Sequence, residues 1–220
     1  MKFRSAFDII GPVMIGPSSS HTAGAARIGR VARTLFEKQP KKAVISLFGS
    51  FAKTYKGHGT DLALVAGLLD FDTFDERIPE ALNIAEHAGM EVEFITETAI
   101  TEHPNTVKIN LYDGEKELEI IGISIGGGTI EITEINSFKL KLSGANPAIL
   151  VIHEDRFGII SSVTSILSRY EINIGHMEVS RKERGDMAIM VIEMDQKIDD
   201  GVINELKTIP SVSRVIRMAE

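Results

Sequence analysis

The sequence predicts a mixed α/β protein of the α+β class, with a first domain over residues 1–146 and a second over 147–220. Two observations predict this division. Apolar residues recur mainly at helical spacing up to residue 88 and then alternate in strand-like runs. After "SGANP" (143–147), the elements follow the order β-α-β-β-α-β, which is a complete unit. A chain of 220 residues, 43% of them hydrophobic, can bury a core in each domain.

The helices of the first domain are predicted by apolar spacing and by residues that begin or end a helix. The first covers 20–37, where Ser20 or Thr22 would cap the start and apolar side chains recur at helical spacing. The second covers 60–69 and follows the turn "KGHG" (56–59). The third covers 76–88 and ends at Gly89.

The strands of the first domain are predicted from apolar and alternating runs. "AVISLFG" (43–49) reads as a buried strand, and the Asp-Gly of "YDGEK" (112–116) predicts a hairpin. We expect a largely antiparallel arrangement. Its later strands are "VEFIT", "TVKINLY", "ELEIIGISI", "TIEITEI" and "FKLKL".

The second domain begins with the strand "AILVI" and the loop "HEDRFG". One face of a helix follows, marked by Ile159, Val163 and Ile166. The strands "INIGHMEVS" and "MAIMVIEMD" flank a turn at "KERGD", and the helix of "DDGVINELKTI" leads to the last strand, "VSRVIRM". This order predicts a ferredoxin-like βαββαβ domain.

The composition excludes several kinds of function. The formal net charge of −7 argues against nucleic acid, which favours basic surfaces. No apolar run approaches the roughly 20 residues of a membrane span, and Asp8, Gly11 and Pro12 interrupt the start where a signal peptide would be apolar. We therefore expect a cytoplasmic protein. The chain has no cysteine, so it supplies neither a disulfide nor a thiolate ligand or nucleophile.

The stretch "GPSSSHTAG" (16–24) is the first candidate for chemistry. Ser18, Ser19, Ser20 and Thr22 offer hydroxyls at a helix start, where free backbone N–H groups favour a carboxylate or phosphate. His21 beside them can exchange protons near neutral pH. By spacing alone, a capped helix with a solvated histidine explains the stretch as well.

Two further stretches carry similar features. "KGHGTDLA" (56–63) places His58 between glycines just before a helix. "GISIGGGTIEI" (122–132) places Gly126, Gly127 and Gly128 between two strands, where they can form a tight turn or expose N–H groups to an anion. A solvated histidine and a plain hairpin turn remain the alternatives.

Taken in order, "GPSSSHT", the glycine-flanked histidine and "SIGGG" resemble the beta part of the iron-sulfur L-serine dehydratases. The resemblance implies elimination of water from L-serine to give pyruvate and ammonia, with a 4Fe-4S cluster as Lewis acid. Because this chain has no cysteine, it also implies an alpha chain whose cysteines hold that cluster. The catalytic base then lies either on this chain or on the alpha chain.

The same resemblance implies roles for particular residues. The four hydroxyl residues of the first stretch, with the three glycines, would bind the substrate and its carboxylate. His21 and His58 would transfer a proton or orient the substrate.

The second domain resembles the ACT domain, a module that binds amino acids and regulates enzymes. The match lies in "VIHEDRFGIIS" and "NIGHM", where His153, Gly158 and Asn173 agree with serine-binding ACT domains. Asp155 replaces an asparagine, and its carboxylate suits an ammonium group. The resemblance implies self-association through this domain, with effectors bound between two copies.

The sequence leaves one other function open and disfavours two more. The first domain also resembles the allosteric substrate-binding domain of some phosphoglycerate dehydrogenases, so a non-catalytic amino-acid sensor is the main alternative. A nucleotide enzyme is disfavoured because the phosphate-binding glycine motifs are absent. A serine hydrolase is disfavoured because Ser20 and His21 are adjacent and no G-x-S-x-G occurs.

Overall fold

The computed structural model describes residues 11–218, which divide into two units between Ser137 and Phe138. Each unit contains helices and a sheet, which confirms the predicted mixed α/β class. The division lies before the predicted boundary between 146 and 147. The start of the chain, for which no signal peptide is predicted, lies largely outside the described residues. No helix within 11–218 is long and apolar enough to cross a membrane.

The first unit opens with a π-helical turn, Ser19–Ala23, that runs directly into helix α1. The predicted helices are present, and the third begins later than predicted, after a 3-10 turn at Ile78–Glu80. The helices are α1 (Gly24–Phe36), α2 (Gly49–Thr54), α3 (Thr60–Leu68) and α4 (Ala81–His87). The strands are β1 (Lys42–Leu47), β2 (Glu91–Thr96), β3 (Thr106–Asp113), β4 (Lys116–Gly126) and β5 (Thr129–Ile135).

The strands of the first unit lie in the order β2-β1-β3-β4-β5. The pairs β1/β3, β3/β4 and β4/β5 are antiparallel, as predicted, and the hairpin between β3 and β4 turns at Gly114. Strand β2 instead pairs in parallel with β1, from Lys42 opposite Glu91 to Leu47 opposite Thr96. The helices between these two strands carry the chain back to the same edge, which is what a parallel pair requires.

Helices α1 and α3 cross in backbone contact. A Cβ added to Gly67 would lie 2.1 Å from the carbonyl oxygen of Ala26, and one added to Gly29 would lie 2.3 Å from that of Leu64. Only residues without a Cβ allow this approach. Helix α1 also packs closely on the sheet, because a Cβ on Gly122 of β4 would lie 2.9 Å from a side-chain carbon of Ile28. The first half of α1 is thereby held against the second half of α3.

The second unit contains the predicted βαββαβ order. Its elements are β6 (Phe138–Leu142), β7 (Ala148–Glu154), α5 (Ile159–Arg169), β8 (Ile174–Arg181), β9 (Met187–Met194), α6 (Asp200–Lys207) and β10 (Val212–Met218). Four strands form a sheet in the order β10-β7-β9-β8, which confirms the ferredoxin-like prediction. Buried side chains of both helices and of the central strands form its core, among them Val163, Leu167, Met190 and Leu206.

Candidate active site

The start of the first helix is capped by Ser18. Its backbone is extended, and its Oγ accepts a 3.1 Å hydrogen bond from the amide of His21. The prediction that Ser20 or Thr22 caps this helix is wrong, because both residues already lie inside the first turn. That turn is π-helical, with the Ala23 amide donating to the Ser18 carbonyl five residues earlier.

The ring of His21 is held on several sides. Its Nε2 lies 2.9 Å from the Oγ of Ser50, and its Nδ1 lies 3.4 Å from the Oγ of Ser18. The buried Phe51 ring packs edge to face against it, with the two ring centroids 5.3 Å apart. Burial lowers the pKa of His21 below 6.5, and the nearby His58 lowers it further. The imidazole is therefore neutral at neutral pH and can accept a proton.

His58 lies next to His21, with ring centroids 4.8 Å apart in an edge-to-face arrangement. The residue that follows it, Gly59, has a left-handed backbone (φ 65°) that turns the chain into α3. Thr22 Oγ1 donates a 3.0 Å hydrogen bond to the His58 carbonyl. The Nδ1 of His58 is buried and has no hydrogen-bond partner among the described residues. A buried ring nitrogen of this kind is suited to a ligand group.

The glycine-rich turn reaches the same place. Gly126, Gly127 and Gly128 all have positive φ and connect β4 to β5 as a tight turn. A Cβ on Gly126 would lie 3.8 Å from the Oγ of Ser20. Arg27 of α1 donates a 2.8 Å hydrogen bond to the Gly128 carbonyl, which fixes the turn against the helix start.

Ser124 ties this turn to the serine-rich stretch. Its side chain is fully buried, and its Oγ donates a 2.8 Å hydrogen bond to the carbonyl of Ser20. A Cβ on Gly24 would lie only 2.1 Å from that Oγ, so the approach requires glycine there. Asn105 supports the same strand through its amide nitrogen, 3.3 Å from the Ser124 carbonyl.

All three stretches singled out in the first domain thus meet at one place. Of the hydroxyls there, Thr22 is 2% exposed and already bonded, and Ser18 serves as the cap. Those of Ser19 and Ser20 have no partner within residues 11–218 and are half-buried. Sequence reasoning missed Ser50 and Ser124. The signal available for Ser50 was its position after a glycine at the end of a buried strand.

A cleft of about 560 Å³ lies beside this site, on another face of α2. It is lined by Gly49, Ala52 and Lys53, by Pro104 and by the segment 96–101. The spacing of the three α2 residues puts them on one side of the helix, about 100° from Ser50. The histidines do not line this cleft.

The candidate effector residues of the second unit do not meet within one copy. Strand pairing places Glu154 of β7 opposite Met187, and Ile174 of β8 opposite Met194 at the other end of β9. Asn173 therefore lies near the opposite end of the strands from His153 and Asp155, roughly 25 Å away along the strand direction. Gly158 begins α5 with a left-handed backbone (φ 90°) and is exposed.

Most polar groups of these residues, though not His153 Nε2, already have partners in the chain. Asp155 accepts hydrogen bonds from the Gly185 amide (3.1 Å) and from Arg181 (2.7 Å), and in that order these donors lower the pKa of its carboxyl. Asn173 donates to the carboxylate of Asp195. His153 is 2% exposed, its Nδ1 lies 2.7 Å from the Glu154 carbonyl, and its buried Nε2 has no partner among the described residues.

The chain offers no place for an iron-sulfur cluster of the usual kind. Its 220 residues include no cysteine, and residues 11–218 contain no group of three or more side chains able to hold a metal ion. Since such clusters are held by thiolates, the residues present do not fit a resident cluster.

Comparison with known proteins identifies both units. Residues 5–134 match the family described as serine dehydratase beta chain, and residues 148–211 match the ACT domain family. The probable L-serine dehydratase beta chain of Bacillus subtilis (strain 168) is 60% identical over 220 residues, which cover the whole of both chains. The L-serine dehydratase beta chain of Peptoniphilus asaccharolyticus is 38% identical over 200 residues, 90% of each chain. The D-3-phosphoglycerate dehydrogenase of Bacillus subtilis is 25% identical over 193 residues, which are 87% of this chain and 36% of that protein.

Proposed function

The chain belongs to the serine dehydratase beta chain family, and from that membership we propose that it is the beta subunit of an L-serine dehydratase. This lyase converts L-serine to pyruvate and ammonia. Loss of the α-proton and the β-hydroxyl as water gives an enamine, which tautomerises and is hydrolysed to the two products. The observation that carries the proposal is the meeting of the serine-rich stretch, His58 and the glycine turn around His21.

The residues divide this chemistry between them. His21 is neutral at neutral pH because burial and His58 lower its pKa, so it is suited to accept the α-proton of the substrate. The buried, unpartnered Nδ1 of His58 is suited to a polar group of the substrate. The two rings are within 4.8 Å, so one bound molecule can contact both.

The substrate carboxylate is assigned to the serine-rich stretch. Ser19 and Ser20 lie in the first turn of the helical run, where backbone N–H groups are not used within the helix. Their hydroxyls add two further donors. Ser18 and Thr22 hold this turn in place through the His21 amide and the His58 carbonyl. Gly126 to Gly128 form the opposite wall.

Hydroxide is a poor leaving group, and the chain alone lacks a Lewis acid for it. We assign that role to a 4Fe-4S cluster on a cysteine-bearing alpha chain, because this chain cannot hold one. In this arrangement the beta chain binds and deprotonates the substrate, and it supplies no ligand to the iron.

The ACT domain is assigned to self-association and regulation. Strand β8 is an edge of the four-stranded sheet, and its residues Gly175, His176 and Met177 are exposed. Within one copy Asn173 lies far from His153 and Asp155. Pairing of two such edges would bring Asn173 of one copy close to the second copy. Gel filtration with light scattering tests this: a dimer or larger species at micromolar concentration is expected, and a monomer contradicts it.

The experiment that tests the function is a purification of the tagged chain from its own cells without oxygen, followed by an assay of pyruvate formed from L-serine. We expect activity to co-purify with a cysteine-bearing partner and iron. A preparation with no partner, iron or activity would contradict the proposal.

The second candidate is a non-catalytic amino-acid sensor. The likeness to D-3-phosphoglycerate dehydrogenase favours it, because that likeness extends over both units of this chain. Titration calorimetry of the isolated chain with L-serine separates the two functions. Tight binding without a partner, together with no turnover by any co-purified complex, would favour the sensor.

A further inference from the structure

We propose that Ser50 is a positioning residue for His21: its hydroxyl fixes the orientation and the tautomer of the imidazole ring. The inference deepens the proposed function and rests on it. None of the sequence motifs of the site includes Ser50, which lies 29 positions from His21 along the chain.

The contact itself is short and well supported. Ser50 Oγ lies 2.9 Å from His21 Nε2, whereas the opposite ring nitrogen lies 3.4 Å from Ser18. The first is an ordinary hydrogen-bond length and the second is long. Ser50 is therefore the stronger of the two polar contacts to the ring, and its loss would leave the orientation to the packing of Phe51 and His58.

The backbone around Ser50 is fixed independently of His21. The Ser50 amide donates a 2.7 Å hydrogen bond to the Pro104 carbonyl, and its own carbonyl accepts a 2.9 Å bond from Thr54 Oγ1. Gly49 has a left-handed backbone (φ 54°), and a Cβ there would lie 2.5 Å from the Pro104 oxygen. The hydroxyl is thus presented to the histidine by a rigid turn.

Hydrogen-bond roles assign the tautomer. Ser18 Oγ accepts the His21 amide and keeps its own proton to donate, and we assign that proton to His21 Nδ1 as part of the proposal. Nδ1 is then the acceptor, and Nε2–H donates to Ser50 Oγ. The lone pair of the neutral ring is left on Nδ1, on the side of the serine-rich stretch. Without Ser50 both tautomers become accessible, and the fraction of rings with the base correctly placed falls.

The kinetic test uses the enzyme assembled with its alpha chain. Ser50→Ala is expected to lower kcat about 10- to 100-fold with KM changed less than about 3-fold, the scale for a misplaced catalytic group. Ser50→Thr, which keeps the hydroxyl, should recover most of kcat. Lys53→Ala is the matched control, since it truncates an exposed side chain of the same helix that lines the neighbouring cleft and not the His21 site.

The second test reads the ring directly in the full beta chain. Nitrogen-15 NMR of the histidine rings should show His21 protonated at Nε2 in the wild type and a mixture of tautomers in Ser50→Ala. Unchanged kcat in Ser50→Ala, a rise in KM alone, or an unchanged tautomer would each overturn the proposal. If the wild-type enzyme did not act on L-serine, the proposed function would fail, and the NMR result would still decide the Ser50–His21 contact.

Discussion

The ring of His58 meets the ring of His21 edge to face, at a centroid distance of 4.8 Å. The two side chains come from the starts of different helical runs, and the hydrogen bond from Thr22 Oγ1 to the His58 carbonyl joins those starts. Two imidazolium charges at this distance repel each other, so the nearby His58 ring favours the neutral form of His21. His21 is therefore suited to accept a proton.

Replacing His21 with alanine should lower kcat of the assembled enzyme at least about 100-fold, the usual scale of acid–base catalysis. Pyruvate formation under anaerobic conditions measures it. His87→Ala is the control, because His87 is exposed on α4 and its hydrogen bond within residues 11–218 goes to the backbone of Asn83. Turnover near the wild-type value would remove His21 from the mechanism.

Replacing Ser19 with alanine should mainly raise KM for L-serine. A hydrogen bond to a carboxylate contributes about 1.5–3 kcal/mol, so the expected rise is about tenfold or more. Steady-state kinetics measure it, with Ser165→Ala on the exposed face of α5 as the matched control. An unchanged KM would count against carboxylate binding by this serine.

The pH dependence follows from the lowered pKa of His21. As pH falls below 6.5, His21 is protonated in the unfolded chain before it is protonated in the folded one. Its contribution to the unfolding free energy is therefore fully present above pH 6.5. That contribution declines as pH falls from 6.5 to the lowered pKa of the folded state. The acid limb of kcat/KM should lie below pH 6.5 for the same reason. Proton NMR titration checks it, and a His21 midpoint at or above 6.5 is the contrary result.

His58→Gln separates the two causes of this shift. Burial, the larger cause, remains in the variant, whereas the repulsion from His58 is removed. The His21 midpoint should therefore move only part of the way back toward 6.5. A midpoint that does not move would show that the two rings are not electrostatically coupled.

Replacing Gly67 with alanine should lower the unfolding free energy by about 1–3 kcal/mol, because the added Cβ would lie 2.1 Å from the Ala26 carbonyl. Alanine is otherwise the better helix former, so propensity alone predicts the opposite sign. Thermal unfolding followed by circular dichroism decides between them. Gly57→Ala is the control, since its nearest atom is 3.7 Å away and its φ is not positive.

Most of the fold could be predicted because it depends on local patterns. Helix α1, the hairpin at Gly114 and the βαββαβ order follow from periodicity and turn residues that lie close together in the sequence. The parallel pairing of β2 with β1 could not be predicted in this way. It depends on the path of the three helices between the two strands, which decides where β2 begins. No residue of either strand specifies that path.

The site was predicted less completely, for a related reason. His21 and His58 stand out because glycines or serines flank them, and the structure brings both together. Ser50 and Ser124 act through contacts to residues 29 and 104 positions away, so nothing near them in the sequence marks them. Ser18, rather than Ser20, is the cap because the first turn is π-helical, and composition does not distinguish that turn from an α-helical one.

Where α1 crosses α3, main chain touches main chain, so the separation of these two helices is not set by a side chain that mutation could resize. Substitutions elsewhere in the interior can change stability while this spacing stays the same. The separation of α1 and α3 therefore tolerates substitution around the crossing, and that tolerance ends at the small residues of the crossing itself.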